Sequence, residues 1–132
     1  MSATTLTIRD ESMNGKITGE LTLEFLTETI TVRELIRSRV YQEVKDFNAR
    51  RPEHFRGLVQ PTDTEATLNG FKLKQRRELD WHEQFDKVVE AFERNQVLIL
   101  VNDHQSESLD EEISLSPQTN VTFLKLTLLV GG

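Results

Sequence analysis

Along the first third of the chain, apolar and polar residues alternate and then change period. Leu6 and Ile8 are set against Thr5, Thr7 and Arg9, a period of two that predicts a strand with one buried face. Asn14-Gly15 marks a turn, inside a loop expected to run to about Gly19. Leu21, Leu23 and Phe25 then share one face of a second strand over Leu21–Leu26, so the two runs read as an antiparallel hairpin with a long loop. Thr31-Val32-Arg33-Glu34 has the spacing of a capping box, in which hydroxyl and carboxylate each satisfy a backbone N–H of the other residue. Ile30 and Leu35 fall at the two positions of a hydrophobic staple. Beyond them Ile36, Val40, Val44 and Phe47 recur at helical spacing, which predicts a helix over Thr31–Asn48. It should end by Arg51, because Pro52 disfavours the helical conformation of the residue before it.

The pattern after Pro52 is irregular up to Gln96. Ala66–Leu68 and Phe71–Leu73 around Asn69-Gly70 predict a small hairpin with a tight turn. Asp80 is a helix N-cap with Glu83 three residues later. Phe85, Val88, Val89 and Phe92 make one face of that second helix, closed by Asn95. Val97–Val101 is an unbroken apolar run of strand length, followed by an Asn102-Asp103 turn. Leu109, Ile113 and Leu115 punctuate a loop leading to Pro117. The last run, Val121–Val130, is read with Leu124, Leu126, Leu128 and Val130 inward and Phe123, Lys125, Thr127 and Leu129 outward. Phe123 and Leu129 are therefore expected to be exposed docking contacts, and Val130, next to the terminal Gly131-Gly132, is a third expected docking residue.

Composition narrows the chemistry. With 36% hydrophobic and 29% charged residues, 132 residues suit one globular domain. The net charge of −6 argues against nucleic acid as a partner. There is no cysteine, which removes disulfides, thiolate metal sites and cysteine nucleophiles. No secretory signal begins the chain and no apolar run reaches the roughly 18 residues of a membrane span, so the expected compartment is the cytoplasm. Two glycines in succession at the end arise by chance in roughly one chain in 200. Without Cβ atoms they pass through a narrow channel and leave the last carbonyl open to attack.

The element order is hairpin, helix, then two further strands, with an insertion at about 56–96. It describes an α+β fold of the β-grasp type, a mixed sheet crossed by one main helix, in a single domain over residues 1–132. The last strand is expected at the centre of the sheet. Three segments give the chain a resemblance to the ubiquitin-like β-grasp proteins, nearest to the ubiquitin-related modifiers and the sulfur carriers of molybdopterin and thiamine biosynthesis. Thr29–Ile36 resembles the family's strand-to-helix junction. Arg51-Pro52-Glu53-His54-Phe55 is similar to the segment that follows the helix, and Val97–Asp103 to the third strand and turn. The resemblance covers about residues 5–55 and 96–132.

It implies that Gly132 is the reacting residue and Gly131 its slender neighbour. An activating enzyme would adenylate the carboxylate with ATP and Mg²⁺. Sulfide donation would then give a thiocarboxylate, or an enzyme cysteine a thioester, and conjugating or sulfur-transfer enzymes and target lysines would follow. On this reading the chain is a protein substrate, with no catalytic residue, bound cofactor or metal of its own. The alternatives are a β-grasp binding module that never reacts and, more remotely, an enzyme using an acid pair from the insertion. His54, His82 and His104 lack metal-ligand spacing and read as surface residues. Glu107, Asp110, Glu111 and Glu112 read as a solvated acidic face, and Lys72, Lys74, Arg76 and Arg77 as a charged strand edge. Trp81 is expected in the core beside Phe85.

Overall fold

The computed structural model describes residues 3–50, 54–55, 64–67, 70–73 and 79–126. Strands β1 (Thr4–Glu11) and β2 (Ile17–Phe25) pair antiparallel, Leu6 opposite Leu23 and Ile8 opposite Leu21. The turn needs Gly15, which sits at φ 81°, a conformation that a side chain disfavours. Period-two alternation buries Leu6, Ile8 and Leu23 and leaves Thr5, Arg9, Glu20, Thr22 and Glu24 exposed.

Strand β3 (Thr29–Thr31) leads into α1 (Val32–Arg50). The capping box forms as expected. The Glu34 N–H donates to the Thr31 hydroxyl at 3.1 Å, and the Thr31 N–H donates to the Glu34 carboxylate at 3.4 Å. Ile30 and Leu35, the staple pair, are both buried. Val32, Leu35, Ile36, Val40 and Val44 join the strand residues in one core, and Phe47 is buried at the end of the same face. Burial of each such side chain contributes about 1.5–3 kcal/mol.

Three short strands follow, β4 (His54–Phe55), β5 (Thr64–Thr67) and β6 (Gly70–Leu73), forming an antiparallel sheet in the order β4-β6-β5. The predicted hairpin is there, one residue out of place: Gly70 pairs with Thr67, so the connection is residues 68–69. Helix α2 (Trp81–Glu93) starts where expected, the Asp80 carboxylate accepting from the His82 N–H at 2.9 Å. Its end is a Schellman motif around Asn95, at φ 59°. The Asn95 N–H donates to the Phe92 carbonyl, and the Gln96 N–H to that of Ala91. Val88, Ala91 and Phe92 are buried, and Phe85 and Val89 pack against the same core half-exposed. Phe92→Ala is accordingly expected to cost on the order of 3–5 kcal/mol and Phe85→Ala distinctly less. Urea unfolding of the two variants checks this; equal, small losses would show that α2 is not fastened to the core.

Strand β7 (Val97–Val101) turns into β8 (His104–Gln105) through Asn102 and Asp103, at φ 51° and 67°. Two successive positive φ values make the primed turn that suits the strand twist, and Asn and Asp tolerate it best among residues with a Cβ. Strand β9 (Glu112–Ser114) pairs with β3, burying Ile113. Strand β10 (Asn120–Lys125) completes a five-stranded sheet in the order β2-β1-β10-β7-β8. β10 lies centrally, parallel to β1 and antiparallel to β7. The architecture is thus α+β, a mixed sheet with two helices.

The facing expected for the last strand is reversed. Val121 and Phe123 are the buried residues of β10, Phe123 without any exposed surface, while Leu124 and Leu126 are half-buried on the other side. Phe123 is therefore a core residue and not a docking contact. The physical reason lies in Lys125. A charged residue in an apolar strand signals the solvent side only when nothing inside can receive it, and here carboxylates on β1 and α1 do.

Candidate functional site

Gly131 and Gly132, with Leu129 and Val130, lie outside the described residues, so the candidate site is approached from its root. The chain leaves the sheet at Lys125 and Leu126. The Leu126 N–H donates to the Gln96 carbonyl at 2.9 Å, tying this point to the end of α2.

Inside that root sits a cluster of charges. Asp10 continues the buried face of Leu6 and Ile8, and in the parallel register it lies opposite Phe123. Arg39 projects from α1 between Ile36 and Val40 and is 1% exposed. Its guanidinium grips Asp10 with two parallel hydrogen bonds, Nη1 to Oδ1 and Nη2 to Oδ2, the latter 2.6 Å. Nη2 also meets Glu43 Oε1 at 3.5 Å, one helical turn on, and the group lies 4.6 Å from the Phe123 ring centroid. Nε has no hydrogen-bond partner among the described residues. Burial by itself would lower the Arg39 pKa; Glu43 and Asp10 outweigh it and hold it above its ordinary value, so Arg39 stays charged.

Lys125 completes the cluster. Burial pulls its pKa below the ordinary 10.5; Asp10 and Glu43 oppose that pull and Arg39 adds to it. Between the folded pKa and 10.5 the unfolded chain binds the extra proton, so stability rises with pH across that window. This contribution is fully present above 10.5 and is lost as pH falls through the folded value. The wild-type protein is expected to gain stability relative to a Lys125→Met variant as pH rises toward 10.5. Denaturant midpoints across that range check it, and parallel curves would show that Lys125 titrates as in water.

The opposite face of the sheet carries the apolar surface that sequence reading had placed on Phe123 and Leu129. Leu124 stands across from Leu98, and Leu100 across from Thr122, with Leu126 beyond them. All four leucines are half-buried. Among the described residues no helix packs on this side, since the residues of α1 and α2 join the inward core. In the strand register the four share that face of the sheet. Alternation could have found it, because Leu98 and Leu100 occupy one parity of a run read only as apolar.

The other candidates disperse. His82 is exposed, stacked on Trp81 at 3.8 Å and 3.5 Å from Asp80. His104 is exposed and 3.8 Å from Glu111. His54 belongs to β4. Asp110 pairs with Arg33 at 3.4 Å, so the acidic loop is partly neutralised rather than converging on a cation. No three metal-ligating side chains cluster among the described residues. Trp81 is half-buried and packs against the core beside Phe85, edge-on to Tyr41 and below Arg37. Lys72 lies in β6, and Lys74, Arg76 and Arg77 lie outside the described residues. No described helix is long and apolar enough to cross a membrane.

Comparison with known proteins leaves the chain by itself: no family model, no curated protein and no solved structure matches it.

Proposed function

We propose that this chain is a ubiquitin-like protein modifier or sulfur carrier, activated at the carboxylate of Gly132. The observation that carries the reading is the topology around β10. A hairpin, a helix and a strand lying centrally, parallel to the first, support a β-grasp reading of the fold. In this chain that central strand leads on to Gly131-Gly132.

The chemistry assigned to the tail is acyl activation. The Gly132 carboxylate attacks the α-phosphorus of ATP, pyrophosphate leaves, and an acyl-adenylate remains. Sulfide or a cysteine thiolate of the partner enzyme then displaces AMP, giving a thiocarboxylate or a thioester. A target lysine amine attacks the activated carbonyl, expelling the sulfur. Magnesium and every catalytic group belong to the activating and transfer enzymes, and the cytoplasm supplies the ATP.

The chain's own contribution is recognition and positioning. Leu98, Leu100, Leu124 and Leu126 offer an activating enzyme an apolar contact at the base of the tail. Asp10, Arg39, Glu43 and Lys125 hold that base on the other side of the sheet. The same leucines equally suit a β-grasp binding module that never reacts, and chemistry distinguishes the two. Incubation with a candidate activating enzyme, ATP, Mg²⁺ and sulfide is expected to raise the intact mass by about 16 Da, oxygen exchanged for sulfur. No mass change, alongside retained binding that Leu98→Asp abolishes, would favour the non-reactive module.

A further inference from the structure

Strand β2 is the outermost strand of the five-stranded sheet, with β1 on one side and no strand neighbour on the other among the described residues. The direction of its peptide groups follows from the centre of the sheet. The Asn102 N–H donates to the Asn120 carbonyl at 2.8 Å, and the Leu126 N–H to the Gln96 carbonyl at 2.9 Å. Even-numbered residues of β10 therefore bond to β7, and Val121 and Phe123 turn their peptide groups to β1. In that parallel register Val121 lies opposite Ile8, so it bonds to the flanking residues Thr7 and Arg9. Leu6 and Ile8 are left to bond to β2, where they meet Leu23 and Leu21. The N–H and C=O groups of Glu20, Thr22 and Glu24 consequently point away from the sheet.

This edge is open and regular. Glu20, Thr22 and Glu24 are exposed, and from Gly19 to Phe25 the strand pairs with β1 without a register shift. On the core side Leu21 and Phe25 are only half-buried against the core, and Ile17 and Leu26, at the two ends of the strand, are more than half exposed. On the outer side the edge is acidic. Glu20 has an exposed pair with Arg9 at 3.6 Å, a weak contact, and Glu24 has no cationic partner among the described residues. Two copies of this chain joining through β2, antiparallel and centred on Thr22, would set Glu20 of each against Glu24 of the other. Like charges directly opposite one another oppose that pairing.

An unpaired strand edge is completed by another strand, and the charges along it decide which one. We propose that the β2 edge binds an extended segment of another protein in which basic and apolar residues alternate. The segment adds to the sheet by backbone hydrogen bonds to Glu20, Thr22 and Glu24. Its basic side chains share the outer face with the two glutamates. Its apolar side chains fall on the opposite face and complete the cover of Leu21 and Phe25. The carboxylates that keep two copies apart are the same groups that select a cationic strand. The site lies at the far edge of the sheet from β7 and β8, and it does not depend on chemistry at Gly132.

The test is an NMR titration of the ¹⁵N-labelled full chain with the peptide acetyl-Val-Lys-Val-Thr-Val-Lys-Val-amide, whose residue order is the same in both directions. The expected result is shifts centred on the amides of Glu20, Thr22 and Glu24. Thr22→Pro removes an N–H that points outward, and proline is tolerated at such an edge position. This variant is expected to bind the peptide at least roughly fivefold more weakly, the loss of about one hydrogen bond. Unchanged affinity there would overturn strand addition. Glu20→Lys/Glu24→Lys, a change of two exposed side chains, is read separately and stands even if the proline variant fails to fold. It is expected to reverse the preference, so that the peptide with glutamate in place of both lysines binds at least roughly fivefold more tightly than the lysine peptide. The same preference in wild type and charge-reversed protein would overturn selection of a cationic strand. Shifts confined to Leu98, Leu100, Leu124 and Leu126 would place binding on the sheet face and overturn the edge site. Absence of shifts up to about 5 mM peptide, weaker than any useful docking affinity, overturns the proposal outright.

Discussion

Arg39→Met is expected to destabilise the protein by about 3–5 kcal/mol, the range for breaking one side of a buried ion pair. The side chain is 1% exposed and bonds to a carboxylate, Asp10, that is itself 7% exposed. Methionine fills much of the volume over Phe123, so the loss is electrostatic rather than a cavity. Asp10 would remain as a buried anion without its bidentate partner. The double variant Asp10→Leu/Arg39→Met should recover most of the loss, since an apolar pair of similar size often matches a buried ion pair. Urea unfolding of the wild type, both single variants and the double variant measures the coupling directly. A single-variant loss below about 1 kcal/mol would mean that water reaches Asp10 and that the pair behaves as a surface bridge. A large effect here exceeds most single-site changes, because marginal stability leaves little to spare.

Deletion of Gly131 and Gly132 is expected to abolish ATP-dependent activation completely while leaving the unfolding midpoint unchanged. The described core is closed by β10 up to Lys125, and two glycines have no side chain to add to it. Gly132→Val is expected to be nearly as damaging to activation, because a β-branched side chain crowds the carbonyl and restricts φ and ψ. Pyrophosphate release and intact mass report activation; circular dichroism and urea midpoints report folding. Activation of the truncated chain at the wild-type rate would remove Gly132 from the chemistry and leave the binding-module reading. Loss of activation together with loss of folding would instead assign the tail a structural role.

Local chemistry made much of the fold legible. The hairpin was readable because one face of each strand is apolar and the other is not. The start of α1 was readable because Thr31, Glu34, Ile30 and Leu35 satisfy a capping box and staple within six positions. Asn95 and Asn102-Asp103 were readable as a helix end and a turn, and they adopt positive φ, which few other residues with a Cβ accept. The pairing of β3 with β9 was not readable. It joins Thr29–Thr31 to Glu112–Ser114 across most of the chain, and three-residue strands carry no periodicity of their own.

At the candidate site the division is sharper. The glycine pair and the apolar character of the strand before it are properties of consecutive residues, so the sequence by itself determined them. Which side of that strand faces inward was a tertiary decision. Leu124, Leu126 and Phe123 are all apolar, and the one charged mark nearby, Lys125, pointed the wrong way. Asp10 from β1 and Glu43 from α1 meet Lys125 only once the helix has crossed the sheet. A half-buried lysine is tolerable where carboxylates have been brought to it, and no local pattern records that meeting. The Arg39–Asp10 pair has the same origin, its members being 29 positions apart in the chain. Periodicity reports what each segment will bury, whereas the partner that makes a buried charge stable is chosen by packing.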